Sequence, residues 1–223
     1  MFRMLMAGIF TLGTVALSQA HFPFVVPEEG SKAIVIFSDT LEPDTRVNIE
    51  KIAATKLKVR DASGTDKAVE WTKGEGKYSF GVPGTGSRVI FGTTDYGVLQ
   101  KGEGKPFRLL YHPKALVGPA TPATTLGATC PLEIVPVGPA GKTQFQVLAA
   151  GKPVADAEVT VLLPGNTRKA VKTGADGLTP AFEAQGRYGV VAKLLEAKAG
   201  EHAGLKYEEL RNYATLVFVS SAK

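Results

Sequence analysis

The sequence predicts an all-β protein built as two stacked β-sandwich domains, and three observations predict it. Short runs rich in Val, Ile, Phe and Tyr recur at the spacing of sandwich strands, clusters of Gly, Pro, Asn and Asp bound them, and helical periodicity is nearly absent. The breaker Pro136 to Gly141 divides the chain into a first domain over residues 21–137 and a second over 142–223. Residues 1–20 stand apart from both.

Those first residues read as an export signal. Arg3 supplies a positive start, Met4 to Leu17 is an apolar run too short to span a bilayer, and small residues flank a cut at Ser18-Gln19-Ala20. No later segment reaches membrane length. The expectation is an exported protein, periplasmic in a two-membrane bacterium, with no membrane span after cleavage.

In the first domain the strand runs are Lys32 to Phe37, Lys56 to Arg60, Ala68 to Thr72, Lys77 to Val82, Arg88 to Gly92, Phe107 to Tyr111 and Leu132 to Pro136. Asp61-Ala62-Ser63-Gly64 and Pro83-Gly84-Thr85-Gly86 are turns. Pro113 to Pro131 is rich in Pro, Ala, Thr and Gly without periodicity, which predicts a long exposed loop. In the second domain the runs are Phe145 to Leu148, Glu158 to Val161, Arg168 to Lys172, Thr179 to Ala184, Gly186 to Ala192 and Ala214 to Val219. Val159 and Val161 alternate with Glu158 and Thr160, so one face points inward and one outward. The polar stretch Ala199 to Arg211 reads as a connection carrying one helical turn, Tyr207 to Leu210.

Composition excludes several function classes. The net charge of +5 is spread over interspersed lysines and carboxylates, leaving no stripe for nucleic acid. Lys101, Lys105, Arg108 and Lys114 come nearest to one and read as a solvated strand edge. The single cysteine, Cys130, rules out an intramolecular disulfide and reads as a small, partly buried hydrophobe. There is no G-x-S-x-G, and neither Gly84-Thr85-Gly86 nor Gly102-Glu103-Gly104 leads a strand into a helix, so no nucleophile elbow or phosphate cradle is expected. Trp71, Tyr78, Tyr96 and Tyr111 read as core aromatics.

What remains is metal chemistry at the expected mature terminus. A cut after Ala20 leaves His21 first, where its amine and imidazole close a chelate ring. A cut after Ser18 leaves His21 third, the spacing of a square-planar set suited to Cu(II) or Ni(II). The expected ligands are His21, His202 and, as the carboxylate, Asp39 at the end of a strand. His112, beside Pro113, is read instead as part of an extended stretch. Closed zinc and calcium sites lack their paired ligand spacings, and Asp39 with Asp44 reads as solvated charge.

The string GKPVADAEVTVL, followed by TGADG and GRYGVVA, resembles the carboxypeptidase regulatory-like sandwich, a transthyretin-like, Ig-like fold. With the AHF start, PLEIVP, and HAGLKYEELRNYATLVF near the end, the mature chain resembles the NikM-like periplasmic family associated with nickel and cobalt transport. That resemblance implies a metal-binding, delivery or transport role through His21, with His202 as a second counterpart, Ni or Co as cofactor or cargo and a membrane transporter or envelope protein as partner, while the chelate spacing keeps Cu open as well. No enzyme activity is expected. The alternatives are a non-enzymatic envelope module binding protein or carbohydrate, and a copper histidine-brace oxidase completed by His202 or His112.

Overall fold

The computed structural model describes residues 20–221. The expected signal, residues 1–20, lies outside the described residues apart from Ala20. The first half folds into β1 (Phe22–Glu28), β2 (Lys32–Ser38), β3 (Lys56–Arg60), β4 (Asp66–Ala68), β5 (Thr72–Gly74), β6 (Lys77–Gly81), β7 (Arg88–Leu99) and β8 (Phe107–Val117). The second half folds into β9 (Glu133–Val137), β10 (Gln144–Ala149), β11 (Lys152–Pro153), β12 (Glu158–Leu162), β13 (Arg168–Lys172), β14 (Gly186–Glu196), β15 (Gly200–His202), β16 (Leu205–Tyr207) and β17 (Glu209–Ser220). The helical elements among the described residues are short 3-10 turns, and none is long and apolar enough to cross a membrane.

The architecture is all-β and layered. The middle layer is an eight-stranded sheet of order β13-β12-β14-β17-β8-β7-β3-β4. Its pairs are antiparallel except β17 with β8, which run parallel with Glu209 opposite Phe107 and Val217 opposite Ala115. One face of this sheet packs on the sheet β1-β2-β6-β5, and the other on β11-β10-β9. The alternation of side chains makes this possible. Ile90, Ala115, Val191 and Val217 join the first core with Phe24, Val35 and Phe80, while their neighbours Val89, Leu116, Val190 and Leu216 join the second with Ile134 and Phe145. Two sandwiches therefore share their inner sheet, and that sheet crosses the expected boundary at 138–141. The boundary itself is the turn of the β9–β10 hairpin.

Several elements differ from their sequence reading for physical reasons. Strand β1 is punctuated by Pro23 and Pro27, which hid it; it lies on the edge of its sheet, where a missing N–H is tolerated. The expected loop from Pro113 instead begins after Val117, because β8 continues through His112 and Pro113. The β7–β8 ladder is open there, with Gly92 and Thr93 unpaired to that strand, so on that side the missing proline N–H interrupts no pairing. Tyr207 to Leu210 is extended, not helical, and closes a small β15–β16 hairpin before β17. Thr179 to Ala184 forms no strand: Phe182 makes an isolated bridge to Thr143, and Leu178, just before the run, makes one to Gln146.

The charged stretch ending at Lys114 is not a solvated edge. β8 is a central strand, and Lys114 is buried in an ion pair with Glu133, whose carboxylate also accepts the N–H groups of Leu126 and Gly127 at 2.8 and 3.0 Å. Burial pushes the Lys114 ammonium below its ordinary pKa against the pull of Glu133. The four aromatics do pack internally: Trp71 stacks on Tyr78 at 4.7 Å and Tyr96 meets Tyr111 edge-on at 5.7 Å.

A candidate metal centre at the start of the first strand

The open end of the β1–β2 hairpin builds the site. Phe22 pairs with Ser38, so the next residues outward are His21 and Asp39. Beyond β2 the chain turns back through hydrogen bonds from the Thr40 N–H to Ser38 Oγ at 3.1 Å and from the Glu42 N–H to Thr40 Oγ1 at 3.2 Å. Leu41 is then laid against Gly189 of β14, where a Cβ would crowd its side chain. This brings Asp44 back over the hairpin end.

His21, Asp39 and Asp44 each offer a ligand atom within 4.8 Å of the others. The His21 Nε2–H donates to Asp44 Oδ2 at 3.1 Å. The imidazole lies 5.9 Å from the Phe37 ring, which shields one side of it. The side chains of His21, Asp39 and Asp44 are 21%, 10% and 8% exposed, so the cluster is mostly sheltered yet reachable by a small ion. Two guanidinium groups neutralise the carboxylates. Arg46 grips Asp44 with Nε on Oδ1 and Nη2 on Oδ2, both at 2.9 Å, and its backbone N–H adds a third bond at 3.0 Å. Arg168 of β13 reaches Asp39 Oδ2 at 2.9 Å and also bonds the Asp39 carbonyl oxygen. The Arg46 and His21 hydrogen bonds hold the Asp44 carboxyl far below the usual carboxylate range, ready to act as an anion.

One imidazole and two carboxylates form a mixed nitrogen and oxygen donor set with positions to spare, suited to a divalent first-row ion. Of the expected ligands, His21 and Asp39 are brought together. His202 is not; it sits in the β15–β16 hairpin with Nε2 3.4 Å from Asp95, a residue that also pairs with Arg108. His112 is buried, with Nε2 2.9 Å from Asn212 Oδ1 and Nδ1 3.4 Å from Thr93 Oγ1, and burial lowers its pKa. No second imidazole joins the cluster among the described residues. Asp44, read from the sequence as solvated, is the ligand that reading missed. Its signal was the Asp-Thr-Arg spacing, which seats a carboxylate on the N–H two residues ahead in an Asx turn.

Ala20 and Phe22, either side of His21, line a surface hollow of about 570 Å³ with Thr160, Lys172, Lys193 and Tyr213. Cys130 is inert: burial pushes its thiol up to about 11.

Fold and site together define a layered β-sandwich protein carrying a sheltered His–Asp–Asp cluster. No family model matches the chain, and no curated protein matches it. Among solved structures it is similar to the central fibronectin-III array of RIM-binding protein, at 14% identity and a TM-score of 0.24 over 92% of this chain and 69% of that one. It is also similar to the BSP domain of a biofilm associated protein, at 15% identity and a TM-score of 0.21 over 91% of this chain and 30% of that one. Likenesses this distant say nothing of what the chain binds.

Proposed function

We propose that this is an exported, periplasmic metal-binding protein that holds one divalent transition ion between His21, Asp39 and Asp44, in a delivery or transport role. The observation that carries this reading is the convergence of one imidazole and two carboxylates within 4.8 Å at a sheltered hairpin end. The resemblance to the NikM-like family favours nickel or cobalt as cargo. The donor set of one nitrogen and two carboxylates is poorer in nitrogen than a copper site of the brace type asks for. A metal between the carboxylates replaces the proton on His21 Nε2.

The test is intact-mass analysis of the exported protein, native and denatured, after one equivalent of Ni(II), Co(II) or Cu(II). Retention of one ion by the wild type and its loss in both His21→Ala and Asp44→Asn is the expected result. Equal uptake by wild type and variants would sink the assignment. One observation favours a second reading, a non-enzymatic envelope module. The hollow beside Phe22 and Tyr213 leaves part of the β12–β14 face open, a surface for protein or carbohydrate that needs no metal.

A further inference from the structure

The carboxylates of the cluster already have partners within the chain. Asp44 has about four lone-pair positions to offer, and four donors occupy them: the Arg46 backbone N–H and Nε on Oδ1, and Arg46 Nη2 and His21 Nε2 on Oδ2. Asp39 is engaged by Arg168 through both its carboxylate and its carbonyl oxygen. Two carboxylates thus face two guanidinium groups, and the cluster is close to electrically balanced. A divalent ion added to this arrangement meets two cations already seated on its carboxylate ligands.

We propose that Arg46 and Arg168 are the affinity-setting residues of the site: they act as resident counter-cations and are expelled from the carboxylates when the metal binds. This inference rests on the metal-binding reading. The two arginines are suited to leave. The Arg46 side chain is 80% exposed and that of Arg168 42% exposed, so each swings into water with little change in solvation. Their departure has different consequences. Arg46 belongs to the same loop as Asp44, and its release is local. Arg168 belongs to β13, the edge strand of the middle sheet, and its bonds to Asp39 tie the metal loop to a strand 129 residues away in sequence. Metal loading therefore unfastens residues 39–46 from that edge, and occupancy of the site is reported as freedom of the loop. A site built this way holds its ion against internal competitors, which keeps affinity moderate and release easy.

The experiment is a competition titration of Ni(II) into the exported, full mature chain and its variants. It is paired with hydrogen exchange over residues 39–47 and 168–172, with and without the ion. Removing a resident cation from a ligand carboxylate tightens binding, so Arg46→Gln and Arg168→Gln are each expected to raise Ni(II) affinity roughly tenfold. Arg46→Lys, which keeps the charge without the fork, is expected to fall between wild type and Arg46→Gln. In the wild type, exchange in both segments should rise on adding Ni(II), a response that a merely structural arginine would not produce. Unchanged or weaker binding in Arg46→Gln and Arg168→Gln, with Asp44→Asn still abolishing uptake, overturns this inference alone. Failure of every protein, the Arg46→Gln/Arg168→Gln double variant included, to take up Ni(II) overturns the metal reading itself and this inference with it.

Discussion

Single side chains in this protein carry charge into places where the fold leaves them no alternative partner. Lys114 and Glu133 are buried together between β8 and β9, and Glu133 also satisfies two backbone N–H groups. Lys114→Met therefore strands a buried carboxylate and is expected to destabilise the protein by about 3–5 kcal/mol. Lys114→Met with Glu133→Gln removes the buried charge but leaves one amide oxygen for the N–H groups of Leu126 and Gly127, so it should recover only part of that loss, as urea unfolding of both variants will read. His112 makes a pH prediction. Its pKa is lowered by burial in the folded chain, so the unfolded chain takes up a proton first as pH falls. The stability it contributes is complete above about pH 6.5 and drains away below it. Melting temperature should thus fall between pH 7.5 and 5, and His112→Gln should flatten that slope. Asp44 acts in the same direction at lower pH: its depressed pKa gives stability present above the ordinary carboxylate range and lost beneath it.

Among the strands, much was legible and the misses share a cause. Val159 and Val161 alternate in the sequence as they do in the sheet, because Glu158 and Thr160 face outward, while Tyr188, Val190 and Ala192 face the second core with Val191 turned to the first. β1, the second half of β7 and the end of β8 were illegible because local chemistry contradicts tertiary placement there. Prolines sit on an edge in β1, and a proline in β8 stands opposite a gap in the ladder. At the site, Asp39 was readable as a strand-end carboxylate beside a near-terminal histidine. Asp44 and the two arginines were not, since their meeting depends on how the loop folds back. Gly92 illustrates the same limit. A Cβ there would overlap the Lys56 carbonyl oxygen of β3, so Gly92→Ala is expected to cost about 3 kcal/mol by forcing β3 and β7 apart. Thermal unfolding of that variant, with Gly81→Ala in open space as the control, measures it.

For the whole molecule, the decisive feature is the shared middle sheet. Each of its faces belongs to a different core, and each core borrows from the other half, Leu162, Val191 and Val217 in the first and Val89 and Leu116 in the second. The sequence shows two sets of strand runs but not this sharing, because pairing between β8 and β17 joins residues about a hundred positions apart and leaves no local trace. Calorimetry should accordingly give one transition with matching calorimetric and van't Hoff enthalpies. A fragment of residues 142–223 should stay unfolded by circular dichroism, since it lacks β8 and β9.

The parallel seam between β17 and β8 also sets the order of events after synthesis. A chain that emerges from its first residue to its last presents β8 long before β17, and β8 then offers both an apolar face and an unmatched row of backbone groups. Until the last twelve-residue strand arrives, the protein is a half-built wall open to sticking, and maturation waits on the tail rather than on either half.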